Sequence, residues 1–152
     1  MLTNLIISFM GFLFLVCFAY LDYKDHKIEN DHILIFAVCS GIVLLFLEKS
    51  LAVGLLTLIT GILGVYLWKI KSFGGADTKI LPAMIPFLLI ISNNYFVGWW
   101  IFLIIFAVVG GLYGLIAKKM FKRKRYIPFV PAMALTYFLF YVYNLILILI
   151  VR

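Results

Sequence analysis

Charge is scarce in this chain of 152 residues: Asp, Glu, Lys and Arg together make up 12% of it, and only six residues are acidic. Set against 66% hydrophobic residues and a mean hydropathy of +1.20, that scarcity excludes a soluble domain, which could not keep so much apolar surface from water. Cysteine is nearly missing. Cys17 and Cys39 both fall inside apolar runs, so their spacing offers neither a disulfide framework nor a zinc site, and two buried thiols are expected. There is no HExxH and no serine–histidine arrangement in a matching context, which argues against the metalloprotease and serine protease classes. The two histidines, His26 in a charged loop and His32 at the start of an apolar run, form no metal-ligand set. No metal and no cofactor are expected. Low-complexity tracts, soluble linkers and internal repeats are absent too, so a single domain over residues 1–152 is expected. The apolar runs do not alternate, which removes strand and barrel readings.

What is there is a series of apolar runs, and it predicts an all-α polytopic membrane bundle. A spanning helix needs roughly 20 mostly apolar residues. Six candidates emerge: Asn4 to Leu21, His32 to Leu47, Leu51 to Trp68, Ile80 to Ser92, Phe96 to Ala117 and Pro128 to Val151. The fourth is short and broken by Pro82 and Pro86, each of which removes a helical donor. The opening stretch "MLTNLIISFMGFLFLVCFAYLDY" lacks the basic n-region and small-residue cleavage site of a signal peptide and is expected to stay as the first helix. Eleven of the 13 basic residues fall in the loops after the first, third and fifth runs; only Lys49 and Arg152 lie on the other side. By the positive-inside rule those three loops face the cytoplasm and both termini lie outside. The same topology accounts for the net charge of +7, so nucleic acid is not an expected partner. "YFVGWW" reads as an interfacial aromatic belt and "VVGGLYGL" as a close-packing stretch. The cluster "KKMFKRKR" reads either as a contact for anionic lipid or as a topological anchor.

The acids are the informative residues. Asp22 ends the first run directly after "FAYL", and Asp77 sits just before the fourth within "FGGADTK". Both stand at the edge of the hydrocarbon, where an ionised carboxylate is costly unless a polar cavity receives it. Asp25, Glu29 and Asp31 lie further into the loop and are expected to be solvated. Two carboxylates on one face of a bundle suggest an aspartyl dyad, in which one stays protonated while the other acts as base on a shared water. Gly74 and Gly75, just ahead of Asp77, would let the backbone pass close to an extended substrate with no Cβ in the way. Read alone, each feature also has a plain structural use: a helix cap for the aspartate, a turn for Gly-Gly.

Three segments, in this order and spacing, resemble the type IV prepilin peptidases, the membrane aspartyl proteases also called GxGD proteases, and especially their short archaeal or pilus-assembly relatives. In "YLDYKDHKIEND", Asp22 takes the catalytic position at the end of the first core helix, Lys27 and Ile28 fit the following pattern, and Asn30 matches its final polar residue; Glu29 replaces the usual proline. In Gly74-Gly75-Ala76-Asp77-Thr78-Lys79-Ile80, Ala76 replaces the second glycine of the motif. "RYIPFVPAMAL", with Pro128 and Pro131, resembles the Ile-Pro-Phe-x-Pro segment near the end of bacterial members. The resemblance covers about Ala19 to Leu135. It implies an aspartyl endopeptidase that cuts a type IV prepilin-like or preflagellin-like precursor at the cytoplasmic face of the cell membrane, just ahead of the precursor's hydrophobic segment. Asp22 and Asp77 would be catalytic, with Gly74, Gly75, Ala76 and Lys79 as active-site support. Lys79 would either balance Asp77 or snorkel to the interface. The longer bacterial members also carry a cysteine-bearing insert and methylate the new N-terminus; this chain has no such insert, so peptidase activity without methyl transfer is expected. The implied partners are the precursor and membrane lipid, and self-association is left open.

Two other classes compete. A small transporter or channel could use the acids as an ion site, but it would prefer acids near mid-membrane, and none of the six lies there. An inactive pilus-assembly factor is left open by Glu29 and Ala76.

Overall fold

The computed structural model describes residues 2–25, 28–70, 74–120 and 129–150. His26, Lys27, Lys71, the basic residues from 122 to 125, Pro128 and Arg152, all used above, lie outside the described residues. The chain is all-helical, and no strand occurs among the described residues: α1 is Leu2–Asp25, α2 Asn30–Leu45, α3 Ser50–Lys69, α4 Gly75–Ala83, α5 Ile85–Leu89, α6 Tyr95–Met120 and α7 Val130–Ile150. Four of these, α1, α3, α6 and α7, are long and apolar enough to cross a membrane; α2 is a shorter apolar helix of 16 residues. The fourth run is not one helix but two, α4 and α5, meeting at Met84.

The long helices are apolar on every side, as expected of helices solvated by lipid. Leu45, Phe46, Leu51 and Leu115 stand on the outer surface although all are large and hydrophobic. The same geometry corrects the reading of the cysteines. Cys17 is exposed on the outside of α1 and Cys39 is half-buried on α2; both are free. An apolar run in a membrane bundle need not face protein, so apolar context did not imply burial.

The shortest element is the best buried. All five residues of α5 are inaccessible, and α5 touches α1, α2, α3, α6 and α7. Two close approaches hold it and α4 in place. A Cβ at Gly11 would lie 2.7 Å from Phe87 Cβ and 2.9 Å from the Tyr137 hydroxyl, so α1 reaches the centre only because residue 11 is glycine. On the other side α3 packs along α4. Gly64 lies against the backbone of Thr78, where a Cβ would sit 3.2 Å from its carbonyl oxygen, and Gly61 faces Pro82. Pro82 has no N–H to give the Thr78 carbonyl four residues back, so the tight α3 contact falls on the turn the proline weakens.

Hydrogen bonds fasten the long helices at depth. The Tyr137 hydroxyl on α7 donates to the Ser8 carbonyl on α1 at 2.8 Å, and Ser8 Oγ is 2.9 Å from the same hydroxyl. Trp99 Nε1 on α6 donates to Thr60 Oγ1 on α3 at 2.9 Å, and that hydroxyl donates to the Leu56 carbonyl at 2.7 Å. Trp99 therefore departs from the expected aromatic belt: it is a buried cross-link, whereas Phe96 and Trp100 are exposed. In "VVGGLYGL" only one glycine is pressed. A Cβ at Gly110 would lie 2.9 Å from Phe129 Cζ, while Gly111 and Gly114 face open space.

Candidate active site

Of the six acids, two are buried. Asp22 is fully inaccessible and Asp77 is 1% exposed, whereas Asp25, Glu29, Asp31 and Glu48 are exposed. Asp22 lies in the last turn of α1, and its Oδ2 accepts a hydrogen bond from the Val130 N–H at 3.1 Å, the first residue of α7. Backbone N–H groups at a helix start have no partner within the helix, and the helix dipole there favours negative charge, so this is a natural seat for a carboxylate.

Asp77 is not in a loop ahead of a helix. It is the third residue of α4, which begins at Gly75. Its Oδ2 accepts from the Gly74 N–H at 2.8 Å, half of a capping box; Gly74 has no side chain to return the other half. Its Oδ1 is buried with no hydrogen-bond partner among the described residues. A buried, unsatisfied carboxylate oxygen is costly and rare. The cap reading thus accounts for one oxygen of Asp77 and leaves the other unexplained.

The two aspartates come from distant parts of the chain and act on each other electrostatically. Burial pushes the Asp77 carboxyl up to about 7; the Gly74 N–H pulls the other way, and the nearby Asp22 charge adds to the rise. At neutral pH Asp77 is thus poised to hold a proton within electrostatic reach of a second carboxylate.

The supporting residues fall into place unevenly. A Cβ at Gly75 would meet nothing within 4 Å among the described residues. Ala76 is half-buried against the core, and its methyl finds apolar contact there. Lys79 does not balance Asp77. It is exposed, it makes no ion pair with Asp77 among the described residues, and its Nζ donates to Asn30 Oδ1 at 2.8 Å. Lys79 therefore joins the start of α4 to the start of α2. The solvated reading of Asp25, Glu29 and Asp31 agrees with their exposure; Glu29 holds the N-cap position of α2 without a side-chain cap, and its carboxylate is 4.0 Å from His32 Nδ1.

Sequence reasoning missed two members of this region. The Val130 amide is a backbone group and leaves no residue-type signal. Tyr113, on α6, interacts electrostatically with Asp22, Tyr23 and Asp77. It stood within "VVGGLYGL", where the glycines drew the reading toward packing. Among the described residues no group of three or more metal-ligating side chains occurs. Comparison of the chain with family models, with curated proteins and with solved structures returns no match.

Proposed function

We propose that this protein is a membrane aspartyl endopeptidase of the prepilin peptidase type, with Asp22 and Asp77 as its catalytic pair. The observation that carries the reading is the selective burial of two of six acids that act on each other electrostatically, with Asp77 Oδ1 lacking a partner among the described residues. A purely structural aspartate would have both oxygens satisfied.

The chemistry follows from that arrangement. A water between the carboxylates gives a proton to Asp22 as its oxygen attacks the scissile carbonyl carbon. Asp77 supplies its proton to the carbonyl oxygen, which becomes a hydroxyl of the tetrahedral intermediate. Collapse breaks the C–N bond; the amine leaves with a proton from Asp22, and the hydroxyl proton returns to Asp77. The pair ends as it began. Because such groups titrate together, the assignment describes the resting pair.

In this reading α2 and the α4–α5 pair complete six crossings. The basic loops and the aspartates face the cytoplasm, and both termini lie outside. The substrate is a type IV prepilin-like or preflagellin-like precursor, cut ahead of its hydrophobic segment, with no methyl transfer. The test is reconstitution of the purified protein in liposomes with such a precursor. Two fragments are expected, the new N-terminus falling at the border between leader and hydrophobic segment. Absence of cleavage together with proton or cation flux would favour the transporter reading instead; absence of both would favour an inactive assembly factor.

A further inference from the structure

The buried hydroxyls of Ser8, Thr60, Thr136 and Tyr137 are hydrogen-bonded. Tyr137 bonds Ser8, Thr60 bonds Leu56 and Trp99, and Thr136 Oγ1 donates to the Ala132 carbonyl at 2.8 Å. Tyr113 is the contrast: it is half-buried, and its hydroxyl makes no hydrogen bond among the described residues. Its ring is nonetheless held. Phe129 meets it edge-on at 6.3 Å between centroids and 85°, and Phe129 is itself seated edge-on against Phe106 at 5.9 Å and pressed on Gly110. The next residue after Phe129 is Val130, whose N–H holds Asp22. One packed unit thus fixes the Tyr113 ring and the amide that seats Asp22, and the phenol lies within electrostatic reach of both aspartates.

We infer that Tyr113 is a substrate-contacting hydrogen-bond donor of this site, its phenol O–H directed to the carbonyl oxygen of the peptide bond being cut. The inference rests on the endopeptidase reading above. A neutral phenol donates one hydrogen bond. The carbonyl oxygen is where charge develops as water adds, and a fixed donor there is worth more in the transition state than in the bound substrate. No proton is transferred by Tyr113, so the balance of the reaction is unchanged. The ring's fixed seat keeps the donor from turning away, and its ordering is already met by packing rather than by substrate binding.

The test compares wild type, Tyr113→Phe and Tyr113→His, reconstituted with a prepilin-like precursor. Tyr113→Phe keeps the ring against Phe129 and removes only the hydroxyl. Its kcat should fall about 100-fold, the usual scale for losing one such donor, with KM changed by less than about twofold. A peptide isostere carrying a hydroxyl in place of the scissile carbonyl should bind it at least about tenfold more weakly, while an uncleaved peptide binds as before. Tyr113→His restores an N–H on a planar ring and should recover part of kcat; a packing role would instead leave the histidine variant worse than the phenylalanine variant. A kcat for Tyr113→Phe within about threefold of wild type, or equal losses on isostere and peptide, overturns the inference while leaving the endopeptidase reading intact. A wild type that cuts no precursor overturns both, and is recognised as such because it fails before any variant is made.

Discussion

The two ends of the bundle treat polar groups differently. At the end holding Asn4, Ser92 and Asn94, side chains complete the backbone's hydrogen bonds: Asn4 Nδ2 donates to the Ile90 carbonyl at 3.2 Å, Ser92 Oγ to the Asn94 carbonyl at 2.9 Å, and Asn94 Oδ1 accepts from the Phe96 and Val97 amides at the start of α6. The acid there, Glu48, is exposed at a cavity of about 380 Å³. At the other end two carboxylates are buried, and Asp77 Oδ1 has no partner among the described residues. The first end shows what an asparagine or serine does when it serves the fold. The second departs from that pattern, and the departure is what supports the proposed site: burying a charge-bearing group without full compensation lowers stability, and such groups cluster where chemistry uses them.

The sharpest way to break this contrast is at Asp77. Asp77→Asn keeps the size and can still accept from the Gly74 amide, but it cannot shuttle a proton. Cleavage should fall about 100- to 10,000-fold with insertion into the membrane unchanged, measured as initial rates against protein level. Next in size is pH. Since the Asp77 carboxyl is held up at about 7, its proton is retained below that value and lost above it. Cleavage should therefore fall about tenfold per pH unit above 7, read from the kcat/KM profile. Stability has the same origin. A carboxyl whose folded value exceeds its free value of 3.8 binds the extra proton in the folded state, so its contribution declines as pH rises from about 4 through about 7. Asp77→Asn has no such titration, and its melting temperature should gain on wild type across that window.

Changes away from the aspartates and Tyr113 should act on stability rather than on the chemistry. Gly11→Ala places a methyl against Phe87 and Tyr137 and should cost about 1–3 kcal/mol, with kcat of the folded fraction preserved. Tyr137→Phe, which removes the bonds to Ser8, should also cost about 1–3 kcal/mol in a thermal or denaturant titration. The smallest effect is expected from Lys79→Met. It removes an exposed bond to Asn30, and activity should stay within about threefold, unlike a residue that sets the Asp77 proton.

Much of this fold is visible in the sequence, because lipid leaves few options for the backbone and continuous Leu, Ile, Phe and Val runs can be read as helices. What could not be read is burial. A hydrophobic residue in a membrane helix faces lipid or protein with equal ease, which is why Cys17 and Trp99 fell on the unexpected sides. Nor did hydropathy suggest that the weakest apolar run, broken by two prolines, forms the centre of the bundle; that follows from Gly11, Gly61 and Gly64, which act only once their partners are known. In the site, Asp22 and Asp77 stood out because acids are so few. Of the two uses left open for Lys79, its exposure and its bond to Asn30 favour the one away from Asp77, a bond that nearness in sequence could not reveal, and the Val130 amide could not be found from any side chain.

The central claim is that Asp22 and Asp77 work as one unit, and a double-variant cycle tests it most directly. Initial cleavage rates of a prepilin-like precursor would be measured for Asp22→Asn, Asp77→Asn and the variant carrying both, each reconstituted at equal density. Groups that act together lose nearly everything with the first substitution, so all three rates should fall to the same floor. A single variant within about tenfold of wild type, or a double variant whose loss is the product of two partial losses, would contradict the pair.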